Sequence, residues 1–210
     1  MPSVTCRFVL LTLLGAFAVS CGSPKASDAV SHAATIVAER RAKDDAFRTA
    51  ADSPIPIDKR GTLLPLSYFP PDEAYVVPAA LRPADPGQRP AIEMPTSTGQ
   101  RRAMQRVGTL DFMLKGRSLH LSAFVEAGSP EVNRLFVPFT DLTTGTETYA
   151  AGRYLDLERT ATGVYIIDFN KAYQPYCAYN ATYDCPYPPA ENRLPIPVRA
   201  GEKPAAAGRH

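Results

Sequence analysis

The residues most able to do chemistry sit in two neighbouring stretches. In Arg153-Tyr154-Leu155-Asp156-Leu157-Glu158, Arg153 keeps step with Leu155 and Leu157. A strand's two-residue period therefore puts its guanidinium on the apolar side and Tyr154, Asp156 and Glu158 on the solvated side. In Val164 to Asn170, Asp168 and Asn170 share a face with Val164 and Ile166. A buried guanidinium demands a carboxylate, because an unpaired charge out of water is very unfavourable. A hairpin joining the stretches through Arg159 to Gly163 would, in one register, set Arg153 against Asp168 with Asn170 beside them. Such a group serves either as an ion pair that holds register or as the polar floor of a ligand pocket.

Other reactive arrangements are sparse. There is no Gly-x-Ser-x-Gly elbow and no glycine loop of the phosphate-cradling kind. Ser118 and His120 point the same way on a strand but have no acid nearby in sequence. Asp141, Thr143, Gly145 and Glu147 have the spacing of a calcium loop without its carboxylate density, and a turn explains them better. Glu147, Asp168 and Glu191 would be the carboxylates of a hydrolase, although the same residues suit salt bridges. His32, His120 and His210 are not at zinc-finger spacing, so neither metal nor cofactor is expected.

The cysteines point to export. Phe8 to Val19 is apolar apart from Thr12 and Gly15, too short to span a bilayer and the right length for a signal segment. It ends in Ala18-Val19-Ser20-Cys21-Gly22, which resembles the bacterial lipobox. There the chain is cut before the cysteine and acylated on it, and several acyl chains make release negligible. The alternative is an ordinary signal peptide with Cys21 incidental. Lipidation at Cys21 implies a membrane-anchored protein on the periplasmic side. Gly22 in place of a retention aspartate favours the outer membrane. Cys177 and Cys185 would then meet an oxidising compartment and close a disulfide. Its short loop contributes at most roughly 2.5 kcal/mol by chain entropy.

Positioning these residues falls to a mainly β chain. Residues 1–20 read as signal, 21–30 as a lipid-anchored tether, 31–52 as a helix with only a thin apolar stripe, 53–204 as a β domain and 205–210 as a disordered tail. Strands are expected at Thr62–Phe69, Ala74–Leu81, Arg106–Leu114, Ser118–Glu126, Leu135–Phe139, Thr146–Glu158 and Val164–Asn170, with Pro83 to Gln100 as loop. Short strands separated by turn residues predict an antiparallel sandwich or barrel with one N-terminal helix. The formal net charge of +2 in 210 residues, without a basic cluster, excludes a nucleic-acid partner.

Several separate segments carry a family resemblance. They include Phe139 to Tyr154, Asp168 to Tyr173, Pro175 to Asn180, Cys185-Pro186, Pro188-Pro189, Glu191 to Leu194 and Ala200 to Lys203. Together, over about Leu63 to Lys203, the chain resembles the uncharacterised bacterial family known as domain of unknown function 1684, of exported lipoprotein type. The resemblance implies no activity, substrate or catalytic residue. Its motif positions include Asp141, Tyr149, Gly152, Arg153, Asp168, Asn170, Cys177, Cys185, Glu191 and Asn192. Arg153, Asp168, Asn170 and Tyr149 are accordingly the candidate ligand-binding residues. The expected function is a lipid-anchored binding module for a small polar ligand or envelope component. A structural or interaction lipoprotein is the alternative, and a carboxylate-dependent envelope hydrolase the second, disfavoured by the missing nucleophile motif.

Overall fold

The computed structural model describes residues 26–85, 91–128, 134–158 and 160–204. The expected signal at residues 1–20, Cys21 and the expected tail at 205–210 lie outside the described residues. The first element is helix α1, Ala26–Thr49, and seven strands follow. These are β1 (Val76–Pro83), β2 (Ala91–Pro95), β3 (Arg101–Leu114), β4 (Arg117–Glu126), β5 (Arg134–Phe139), β6 (Arg153–Glu158) and β7 (Val164–Asp168). They form one antiparallel sheet in the order β6-β5-β4-β3-β1-β7, with β2 added beside β3. The sheet curls until its end strands β6 and β7 come into contact without pairing as hydrogen-bonded neighbours. The fold is therefore mainly β and nearly closed into a barrel, with one long N-terminal helix.

The alternating apolar residues supply the interior. Leu110, Leu121, Leu135, Val137, Phe139, Ile167 and Phe169 are fully buried in one cluster. The segment 194–200 completes it. Leu194, Ile196, Val198 and Ala200 are buried at alternate positions, while Pro195 and Pro197 between them carry no N–H to join a ladder.

 All four side chains, Leu194, Ile196, Val198 and Ala200, thus point inward as a strand's would, although the segment is not itself a strand.

Two features shape the outside of the barrel. β3 carries an irregularity between Arg106 and Gly108, and a side chain at Gly108 would drive a Cβ to 2.4 Å from the Arg82 carbonyl oxygen. Beyond it, β2 and the first half of β3 bring Met94 and Met104 against Phe124, in a second cluster that Phe136 borders. Helix α1 buries Ile36 and packs Phe47 against Ile55, Leu66 and Tyr179. Polar stitches supplement that thin stripe. Arg40 donates to the carbonyls of Phe69 and Asn170 at 2.9 and 3.2 Å, and Asp44 accepts the Leu66 N–H at 2.9 Å.

Several expectations need correction. The hairpin between β6 and β7 does not exist: β6 pairs with β5 and β7 with β1. The two strands are consecutive in the chain but form opposite ends of the curled sheet. Thr146 to Gly152 is turn rather than strand, and Phe169–Lys171 is a short 3-10 turn. Part of the expected Pro83–Gln100 loop is β2, whereas Thr62–Phe69 contains only a single bridge, Tyr68 to Glu202. Helix α1 begins ahead of the expected Ser31.

Candidate functional site

Arg153 is 1% exposed at the start of β6. Its Nη2 donates to Asp141 Oδ2 at 2.9 Å and to the Val198 carbonyl at 2.8 Å, while Nη1 donates to the carbonyl of Ala200. The guanidinium also lies 5.3 Å from the centre of the Phe139 ring. Asp141 Oδ1 in turn accepts from the Thr143 N–H, the Thr143 hydroxyl and the Val198 N–H, at 2.7, 2.6 and 3.2 Å. Burial pulls the Arg153 pKa down, and the Asp141 carboxylate opposes that pull. Arg153 is thus buried as its alternation requires, but its partner is Asp141 and not Asp168. The pair ties the segment 198–202 to the barrel.

Asp168 and Asn170 do a different task. Asp168 Oδ1 accepts the Asn170 N–H and side-chain amide, both at 2.9 Å, and Oδ2 lies 2.9 Å from His32 Nε2 of α1. Asn170 also exchanges two 2.9 Å hydrogen bonds with the Asp72 backbone. Tyr149 stands apart, its hydroxyl 4.0 Å from Cys177 Sγ, and burial pushes its phenol up to about 12. The four candidate ligand-binding residues therefore do not converge on one site. The carboxylates considered for hydrolysis are likewise engaged. Glu147 pairs with Arg199 at 2.8 Å, and Glu191 pairs with Arg106. Asn192, fully buried, bonds the Ser122 backbone and the Pro138 carbonyl.

Cys177 and Cys185 are free thiols in this structure rather than the expected disulfide. They are neighbours all the same, with the Cys177 N–H donating to Cys185 Sγ at 3.3 Å. Burial pushes the Cys185 thiol up to about 11, which leaves little thiolate at neutral pH. Among the described residues no group of three or more His, Cys, Asp and Glu side chains is placed to hold a metal ion.

A cleft of about 810 Å³ lies on the outer side of β5 and β6. Phe136 of β5 and Tyr154 and Asp156 of β6 line it, because the outward row of one strand continues across the register Phe136 to Asp156. One wall is Arg102 and Met104 at the start of β3, and the other is the loop carrying Tyr173, Tyr176 and Tyr183. The walls meet where Ser97 and Cys185 exchange hydrogen bonds of 2.9 and 3.0 Å. Tyr173 is held by a backbone bridge to Tyr154, at 2.8 and 3.0 Å. The rings pack edge to face: Phe136 on Tyr154 with centres 4.7 Å apart, Tyr154 on Tyr173 at 5.7 Å, and Tyr176 on Tyr183 at 5.4 Å. Asp156 Oδ2 accepts from Arg134 at 2.7 Å and from the Tyr173 hydroxyl at 2.8 Å. Burial and the Asp156 charge both raise the Tyr173 pKa, so that phenol stays protonated and donating.

Strand alternation alone puts Tyr154 and Asp156 on the solvated face, where no cleft is expected. Tyr154 is only 6% exposed because the β2–β3 arm and the tyrosine loop cover that face. The available signal was the run of tyrosines at 173, 176, 179, 183 and 187 beside a strand with outward aromatic and acidic residues.

The family model described as "Protein of unknown function (DUF1684)" matches residues 63–203. The chain belongs to that family. A solution NMR structure of an uncharacterized protein from Haloarcula marismortui is 37% identical, with a TM-score of 0.66. The match covers 88% of this chain and 99% of that one. No curated protein matches the chain. The segments that carry the DUF1684 resemblance supply Tyr154, Tyr173, Pro175, Tyr176, Cys185 and Pro186 to the cleft.

Proposed function

We propose that this DUF1684 protein is a binding module of the cell envelope, held on the periplasmic side of a membrane by lipid on Cys21. Its ligand, a small polar molecule or envelope component, sits in the aromatic cleft. The observation that carries this reading is a division of labour among the polar side chains. Arg153, Asp141, Asn170 and Asn192 spend their hydrogen bonds on the protein's own backbone. The cleft instead presents aromatic rings and charged groups at a concave surface, the usual form of a ligand site, and its volume lies in the usual range for one. Catalysis gains no comparable support. The Cys185 thiol is held protonated, and the carboxylates proposed for hydrolysis are engaged elsewhere. An oxidising periplasm would also close Cys177 and Cys185, pinning the wall of the cleft that Cys185 forms.

Ligand-linked stabilisation tests the binding role. A ligand at one hundred times its Kd stabilises the folded state by about 2.7 kcal/mol, which raises the midpoint of a domain this size by roughly 5–10 °C. Fractionated envelope extracts should contain a component that does this for the wild-type protein and not for Tyr183→Ala. If no fraction stabilises the wild type, the binding-module reading fails. The anchor is tested separately: intact mass of the mature protein should show acyl chains on Cys21, and a free Cys21 thiol would refute lipidation.

A further inference from the structure

Resting on the cleft as the ligand site, we infer that its ligand is an uncharged saccharide. Among the described residues each cation of the lining is already matched, and the one lining carboxylate without an ion-pair partner, Glu126, stands exposed at the end of β4. Arg134 holds Asp156 at 2.7 Å, Arg102 lies 3.6 Å from Asp184, and Lys43 pairs with Glu202. Lys43 also sits 5.2 Å from the centre of the Tyr173 ring. A cationic ligand seeking that ring would meet the ammonium already on it. An anionic ligand would have to displace a carboxylate from Arg134 or Arg102. Both costs act as discrimination against charged molecules.

What the paired charges leave free suits hydroxyl groups. Asp156 Oδ2 is used twice, but Oδ1 makes no hydrogen bond to another described residue. A guanidinium has five N–H donors and a carboxylate about four acceptor sites, so an ion pair retains both capacities. A sugar hydroxyl donates and accepts at once and can bridge such a pair without disturbing its charge balance. The rings supply the other half. Tyr183 is half-buried and Tyr176 is 40% exposed, and the Lys43 ammonium lies over Tyr173 rather than over either of them. Their π faces carry negative quadrupole charge that attracts the weakly positive C–H groups on the face of a pyranose. Rings beside neutralised ion pairs thus match a molecule that is apolar on its ring faces and hydroxylated around its rim.

The test titrates the full-length lipoprotein in a zwitterionic, sugar-free detergent, with tyrosine-ring NMR as the readout. The probes are N,N′-diacetylchitobiose, cellobiose and maltotriose, with choline chloride and inorganic phosphate as charged controls. At least one saccharide should shift the rings of Tyr173, Tyr176 and Tyr183 saturably, and neither control should. Tyr183→Ala and Asp156→Asn should each weaken that binding at least tenfold while the remaining ring signals stay native. If choline or phosphate shifts these rings and no saccharide does, the saccharide assignment is wrong and the cleft remains the ligand site. If no probe moves them, the saccharide assignment is again wrong, and the extract stabilisation described above decides whether the cleft binds anything. Saccharide binding that survives both substitutions unchanged places the sugar elsewhere and refutes the inference.

Discussion

Replacing Arg153 with Met should be among the most damaging single changes in this protein. The ion pair it removes is inaccessible to water, with side-chain exposures of 1% for Arg153 and 0% for Asp141. Removing one partner of such a pair strands the other charge and destabilises by about 3–5 kcal/mol. The carbonyls of Val198 and Ala200 also lose their donor, which places the effect at the upper end. Domains of this kind have total stabilities of about 5–15 kcal/mol, so the variant should be barely folded or heavily shifted. Urea unfolding checks this, followed by tyrosine circular dichroism because the chain has no tryptophan. With a slope of about 2 kcal/mol per molar urea, the midpoint should fall by roughly 2 M. A second variant isolates the stranded charge. Asn at position 141 keeps an oxygen for the Thr143 and Val198 N–H groups but carries no charge. Arg153→Met combined with Asp141→Asn should therefore lose less than Arg153→Met alone. A loss below about 1 kcal/mol for the single variant, or strict additivity in the double, would refute the reasoning.

Alkaline pH should unfold the protein cooperatively. Burial raises the pKa of Tyr68, Tyr154, Tyr173 and Tyr179 in the folded state, whereas unfolded phenols ionise near 10. Their stabilisation is complete below about pH 10 and is lost above it, at about 1.4 kcal/mol per pH unit for each tyrosine. Spectrophotometric titration should show these phenols ionising only as the fold is lost; smooth titration near pH 10 in a folded protein would contradict it. Gly201→Ala should destabilise by more than about 1 kcal/mol in thermal unfolding. Gly201 has φ of 81°, and its Cβ would lie 2.5 Å from the Ala172 carbonyl oxygen. An unchanged midpoint would count against that packing. Under periplasm-like oxidation, Cys177 and Cys185 should give up two hydrogen atoms to the added oxidant and form a disulfide, seen as the matching mass loss, and raise stability by at most roughly 2.5 kcal/mol. Persistence of two alkylatable thiols after oxidation would rule the bond out.

Some of this organisation is legible along the chain because its physical cause is local. Strand periodicity depends only on the alternation of side chains about an extended backbone. It reveals the β character, most strand positions and the burial of Arg153. The helix is legible from a run without glycine or proline. Family membership too is legible in the linear order of the motifs around Tyr149, Asp168 and Cys185, and the matched span of 63–203 agrees with it.

Partnership was decided by the tertiary structure. Whether Arg153 meets Asp168 or Asp141 depends on which strands become neighbours, and strand pairing is a long-range property of the sheet. β6 and β7 are joined by a short connection yet lie at opposite ends of the strand order. The same holds for the cleft. Alternation assigns Tyr154 to the outside of the sheet, but outside is not the same as solvent. The arm of β2 and β3 and the tyrosine loop fold back over that face, and they are held there by contacts between residues far apart in sequence, such as Ser97 with Cys185 and Arg102 with Asp184. A local pattern records which face a residue takes. Only the closed path of the chain settles what comes to cover that face.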